Sequence, residues 1–191
     1  MINKIKTYIH NSISTKEKLL QNEDILYKIQ QISNEIANSL KNSNKILFVG
    51  NGGSASDCDH LATEFVSRFY KDRHAFNALS LTSNNALITA LSNDFSYDKA
   101  FSRQIEAIGK KGDILFALST SGNSKNIIDS INVANEMGLV TIGLTGQNKS
   151  LMDGICSILI KIPSTETPNI QEAQMTLGHL ICLLVEDELL K

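Results

Sequence analysis

The chain has no tryptophan, two prolines and three cysteines in 191 residues. Both prolines, Pro163 and Pro168, lie near the C-terminal end, so no proline-rich linker divides the chain, and no low-complexity tract does either. The cysteines (Cys58, Cys156 and Cys182) are odd in number and far apart. That excludes the disulfide framework of a small secreted domain and suits a reducing compartment. Charge of one sign is not in excess: 18 basic residues face 20 acidic ones, for a net charge of −2. The global attraction to nucleic acid or to an anionic membrane is therefore missing. No apolar run approaches the ~20 residues of a membrane-spanning helix. The opening "MINKIKTYIH" lacks the apolar core of a signal peptide. A cytoplasmic protein without nucleic-acid or membrane partners is expected, and any anion it binds must be held by a local device.

What is present is the material of an ordinary globular protein, 42% hydrophobic and 20% charged, long enough for one sizeable core. In residues 1–43, Ile25, Ile29, Ile32, Ile36 and Leu40 recur at helical spacing, predicting a helix packed on the core or on a second subunit. From Lys45 the pattern changes. Short apolar, β-rich runs occupy 45–50, 76–82, 113–119, 139–145 and 156–162. Helix-length segments separate or follow them at 54–69, 84–109 in two pieces, 124–137 and 170–190. The strands are continuously apolar rather than alternating, as in a parallel sheet covered on both faces. The expected fold is a single doubly wound α/β domain over 1–191, with a helical segment at 1–43 and a five-stranded parallel core at 44–191.

Two strand ends are built for an anion. "GNGGS", Gly50 to Ser54, joins the first strand to its helix. Its glycines let backbone N–H groups approach a ligand at a helix N-terminus. A tight turn with no ligand is the plainer alternative. Gly50, Gly52 and Ala55 also match a dinucleotide fingerprint, but the second strand ends "SLTSNN" without the carboxylate that would hold a ribose. No GK[ST] is present for a P-loop. The second device is "STSGNS", where Ser119, Thr120, Ser121 and Ser124 crowd the start of a helix. One serine would suffice as a cap; four hydroxyls point to phosphate. Neutral donors without lysine fit a sugar phosphate better than a nucleoside triphosphate.

His60 and Glu64 stand four apart and share a helix face. On the last helix, Gln171 and His179 are eight apart, about 80° out of register. Imidazole, carboxylate and carboxamide together can hold a cation such as zinc, provided the two helices meet.

Over nearly its full length the chain resembles the sugar isomerase (SIS) domain family, and within it the phosphoheptose isomerases. The resemblance rests on "GNGGSASDCDHLATEFVSRF", "SNDFSYDKAFSRQIEAIGKKGD", "STSGNS", "LTG" and "IQEAQMTLGHLICLLVE". It implies interconversion of sedoheptulose 7-phosphate and D-glycero-D-manno-heptose 7-phosphate, in heptose synthesis for surface polysaccharide. It also implies one zinc ion per subunit on His60, Glu64, Gln171 and His179, with Glu64 and His179 as the catalytic acid–base pair. Substrate contacts then fall on Asn51, Gly52, Gly53, Glu64, Asn93, Asp94, Ser119, Thr120, Ser121, Ser124 and Gln171. Ser54 and Arg68 occupy matching positions as weaker candidates, and a homotetramer is implied. Many relatives carry a basic residue and a histidine where this chain has Asn169 and Gln174. Two alternatives within the family are a non-catalytic tetramer that binds the replication initiator and another phosphosugar-binding protein. The initiator-binding relative lacks equivalents of Glu64 and His179, both of which this chain keeps.

Overall fold

The computed structural model describes all of residues 1–191. Two helices open the chain, α1 (Ile2–Leu20) and α2 (Glu23–Lys41). Asn22 separates them: its side chain accepts the Ile25 N–H at 3.2 Å, with Glu23 and Asp24 in the first turn and Lys41 in the last. That is the charge arrangement a helix dipole favours. The predicted apolar face of α2 is buried at Ile25, Ile29, Ile32 and Ile36, with Leu40 partly covered.

The rest is strand–helix alternation: β1 (Ile46–Gly50), α3 (Gly53–Val66), β2 (Ala78–Ser80), α4 (Asn85–Asp94), a 3-10 turn at Tyr97–Lys99 and α5 (Ser102–Ile108). Then follow β3 (Ile114–Leu118), α6 (Lys125–Glu136), β4 (Val140–Gly146), β5 (Ile158–Ile162) and α7 (Thr167–Leu189). The five strands form one parallel sheet in the order β2-β1-β3-β4-β5. Successive strand residues supply opposite faces, as the pleat requires. Ile46 and Phe48 join the larger core with α2, α3 and α7, while Leu47 and Val49 join the smaller one with α5 and α6.

β2 is shorter than the predicted 76–82 because its ends are engaged elsewhere. Phe76 N–H donates to the Phe65 carbonyl of α3, and past Ser80 the chain turns through hydroxyl contacts between Ser80 and Thr82. Gly138, in the "EMGLV" that leads into β4, ends α6 at φ +77°. Its N–H bonds the Asn135 carbonyl and that of Leu139 bonds Ala134, the paired closure of a Schellman motif. No helix is long and apolar enough to cross a membrane.

Candidate active site

The strand order reverses between β1 and β3, which lie side by side with Gly50 opposite Leu118. Ligands of open α/β sheets sit at the carboxyl ends of the strands at this point, and both candidate anion loops leave from here. Gly52 has φ +58° and ψ −120°, a conformation that glycine tolerates and side chains resist. Asn51 and Asn126 exchange amide hydrogen bonds of 2.8 and 2.9 Å across the gap between the loops. Tyr97 donates its hydroxyl to Asn51 Oδ1 at 2.7 Å.

In the serine loop no hydroxyl caps α6: Ser124 stands at the N-cap without a capping bond. Ser119 Oγ accepts the Gly122 N–H at 3.1 Å, and Ser121 Oγ accepts that of Asn123 at 3.2 Å. Thr120 and Ser121 line a polar cavity of about 330 Å³ that also takes in Lys149 and Thr167. The loop itself reads as free of lysine, but the β4–β5 connection brings one to its edge.

The candidate reactive side chains converge between α3 and α7, which pack together on the larger-core face of the sheet. His60 Nε2 lies 3.3 Å from Glu64 Oε1 and 2.9 Å from His179 Nε2. One donor atom from each of the three lies within 4.8 Å of the others. Two glycines permit this approach. A Cβ on Gly178 would sit 2.7 Å from Leu61 Cδ2, so α3 seats Leu61 directly on the α7 backbone and brings His179 beside His60. On α3 a Cβ at Gly53 would sit 2.5 Å from Gln171 Nε2, so that glycine admits the carboxamide.

Gln171 therefore stands at the start of α3, roughly 10 Å along the axis from His60 at 1.5 Å per residue. Around it is a cavity of about 480 Å³ shared with Gly53, Asp57, Lys16 and Glu172. Asp57 Oδ2 is buried without a partner; burial pushes this carboxyl up, against the opposing pull of His60. Glu172 is held down chiefly by the Ser12 hydroxyl, against a smaller effect of burial, with Lys16 at 3.3 Å adding to it. Asn93 and Asp94 end α4 in an exposed position, bonded to one another at 3.0 Å and outside both cavities.

The convergent set suits a metal. Ligands of a tetrahedral zinc ion with bonds of ~2.0–2.1 Å stand ~3.3 Å apart, close to the two distances from His60, to Glu64 and to His179. Two imidazole nitrogens and a carboxylate oxygen also match zinc's preferences.

The SIS domain profile matches residues 7–146. A phosphoheptose isomerase of Aneurinibacillus thermoaerophilus is 46% identical over 187 residues, 98% of this chain and 94% of that protein. This chain belongs to the phosphoheptose isomerase family of SIS domains. Phosphoheptose isomerase 2 of Campylobacter jejuni is 45% identical, across 97% of this chain and 92% of its own length. Among solved structures, a phosphoheptose isomerase from Neisseria gonorrhoeae superposes with a TM-score of 0.89 at 31% identity, covering 97% of this chain and 98% of that one. One from Francisella tularensis gives 0.93 at 28% identity over the same shares.

Gln174 stands where the resemblance noted above would place a histidine. It is fully buried and donates its amide to the Leu144 carbonyl at 2.8 Å, tying α7 to the end of β4. Sequence reading missed Asn126, Tyr97, Asp57 and Lys149 around the two loops. Asp57 alone had a signal, since it precedes His60 by nearly one turn and so shares its face of α3.

Proposed function

We propose that the chain is the isomerase that interconverts D-sedoheptulose 7-phosphate and D-glycero-D-manno-heptose 7-phosphate through an enediol. The observation that carries this is the convergence of His60, Glu64 and His179 within 4.8 Å, in a chain that keeps both anion loops at the switch point. A protein that only bound a partner would have no use for such a cluster.

Isomerisation moves a proton between C1 and C2 and exchanges a carbonyl for a hydroxyl. Glu64 and His179 divide these transfers as base and acid. The phosphate at C7 is remote from the reacting carbons, so its binding energy orients them. Ser119, Thr120, Ser121 and Ser124 receive it, with Lys149 sharing the cavity lined by Thr120 and Ser121. Asn51, Gly52, Gly53 and Gln171 hold the chain of the sugar near α3, and Asn93 and Asp94 contribute from α4. His60, Glu64 and His179 would hold zinc, and Gln171 would join them only by leaving its place against Gly53. Bound there, zinc supplies Lewis acidity at the carbonyl oxygen.

The product enters heptose synthesis for surface polysaccharide. Three free cysteines fit a reducing cytoplasm. The subunit works as a homotetramer, supported by apolar side chains it leaves uncovered: Ile2, Ile5, Ile9 and Ile13 on α1, and Leu87 on α4 with Phe95 just beyond it.

The test is turnover of sedoheptulose 7-phosphate by purified protein, after chelation and again after zinc addition. Activity lost and then restored is the expected result. Turnover that survives verified metal removal would keep the isomerase and discard zinc. A folded protein with no turnover in either state would overturn the reading.

A further inference from the structure

The geometry points to Arg73, Glu186 and Phe69 as positioning residues that keep His60 and Glu64 in register with His179. This rests on reading those three side chains as the reactive centre. None of the three positioning residues needs to touch substrate; they act on the backbone and rings that carry the centre.

Residues 67–77, between α3 and β2, form no helix or strand. The segment is fixed instead by one buried ion pair. Arg73 and Glu186 have side chains only 2% and 0% exposed, with Arg73 Nε donating to Glu186 Oε1 at 2.9 Å. The Glu186 carboxylate also accepts the N–H groups of Tyr70 and Lys71 at 3.0 Å and of Phe69 at 3.4 Å. The guanidinium donates to the Glu64 and Phe65 carbonyls, both at 2.9 Å, and lies 3.8 Å over the Phe76 ring. Carbonyls in the last turn of a helix have no intrahelical partner, so Arg73 closes the end of α3 at the backbone of Glu64 itself.

A buried ion pair is weak evidence for stability, because apolar residues of the same volume often do as well. An apolar pair could not perform this task. Three loop N–H groups and two carbonyls at the end of α3 meet on one pair of charges, Arg73 from the loop and Glu186 from α7. Glu186 follows His179 by seven residues, about two turns, and so shares its face of α7. Phe69, whose N–H reaches Glu186, stacks its ring on the His179 imidazole with centroids 5.7 Å apart and planes 27° from parallel. The pair thus holds Glu64 from below and, through Phe69, the plane of His179. Reactive geometry is sensitive at this scale, where a misplacement of ~1 Å can cost ~100-fold in rate.

The same loop and helix are joined a second time on the outside, by Lys71 and Asp187 at 2.7 Å, both half exposed. That contact reaches neither α3 nor His179, and it serves as the internal control.

The experiment compares Glu186→Gln, Phe69→Ala, Phe69→Tyr and Asp187→Asn with wild type. Zinc affinity is read on metal-free protein by competition with a chromophoric chelator, and kcat and KM are read with sedoheptulose 7-phosphate. Residues that orient metal ligands typically change affinity or activity by ~10–100-fold when removed. Glu186→Gln and Phe69→Ala should each lose that much in zinc affinity and in kcat, with KM within about twofold, since no substrate contact is removed. Phe69→Tyr keeps the ring and should recover most of both losses; Asp187→Asn should match wild type. Folded Glu186→Gln and Phe69→Ala proteins with wild-type zinc affinity and kcat would overturn the inference, as would an Asp187→Asn loss equal to that of Glu186→Gln. If Glu186→Gln does not fold, Phe69→Ala decides. A wild type with no turnover, whose zinc affinity still falls on Glu186→Gln, would discard the isomerase reading and keep the positioning role.

Discussion

α7 and α4 both carry residues expected in the site, and the protein treats them differently. α7 is enclosed along its length: Ile170, Ala173, Leu177, Ile181 and Val185 sit in the larger core, while Gln174 and Glu186 are buried polar anchors. Its reactive residues, Gln171 and His179, are each set against α3 through a glycine. α4 has no buried residue at all, leaves Leu87 exposed and is followed by an exposed Phe95. Its expected contributors, Asn93 and Asp94, bond only sideways to one another. The proposed chemistry stands on the element the subunit can hold in place by itself. The element left open carries what the subunit alone does not place, which fits a site completed when copies of the chain assemble.

Changes at three places would break or sharpen this contrast. The largest effect belongs to the centre between α3 and α7. Glu64→Gln and His179→Gln should each lower kcat by ~10²–10⁴, the usual cost of removing a general acid or base, with thermal unfolding preserved. Near-normal turnover in both would remove the acid–base assignment. Next comes the helix crossing. A Cβ on Gly178 would meet Leu61 at 2.7 Å, so Gly178→Ala should destabilise the fold by about 1–3 kcal/mol as an overpacked core does. Denaturant titration measures it, and an unchanged midpoint would mean that the two helices have slack. The smallest effect on the subunit should come from the α4 side. Phe95→Ser exposes no core, so subunit stability should stay within about 0.5 kcal/mol. Sedimentation should nevertheless show a smaller assembly than wild type. An unchanged assembly would leave the open face of α4 without the partner proposed for it.

The elements were legible because their signals are local. The isoleucine period of α2 and the apolar runs of β1, β3, β4 and β5 each depend on neighbours within a few residues. β2 was drawn too long because its ends form bonds to α3 and to its own hydroxyls, and nothing in "FNALSLT" announces those partners. The site was half legible. The i, i+4 spacing put His60 and Glu64 on one face, and the hydroxyls of residues 119–124 marked a candidate anion loop, two of whose residues line a cavity. Neither Arg73 nor Glu186 had any signal, because a charged pair spanning 113 residues looks in sequence like two solvated side chains.

By itself, the sequence determined the alternation of strand and helix, the two loops shaped for an anion and the face shared by His60 and Glu64. Each follows from periodicity or backbone freedom over a handful of residues. Only the tertiary structure decided that His179 would meet that face and that Gln171 would rest on Gly53. It alone also closed the end of α3 with Arg73, a loop charge held by Glu186 of α7. Those outcomes depend on how closely two helices far apart in the chain can pack, and that is set by the missing side chains of Gly53 and Gly178.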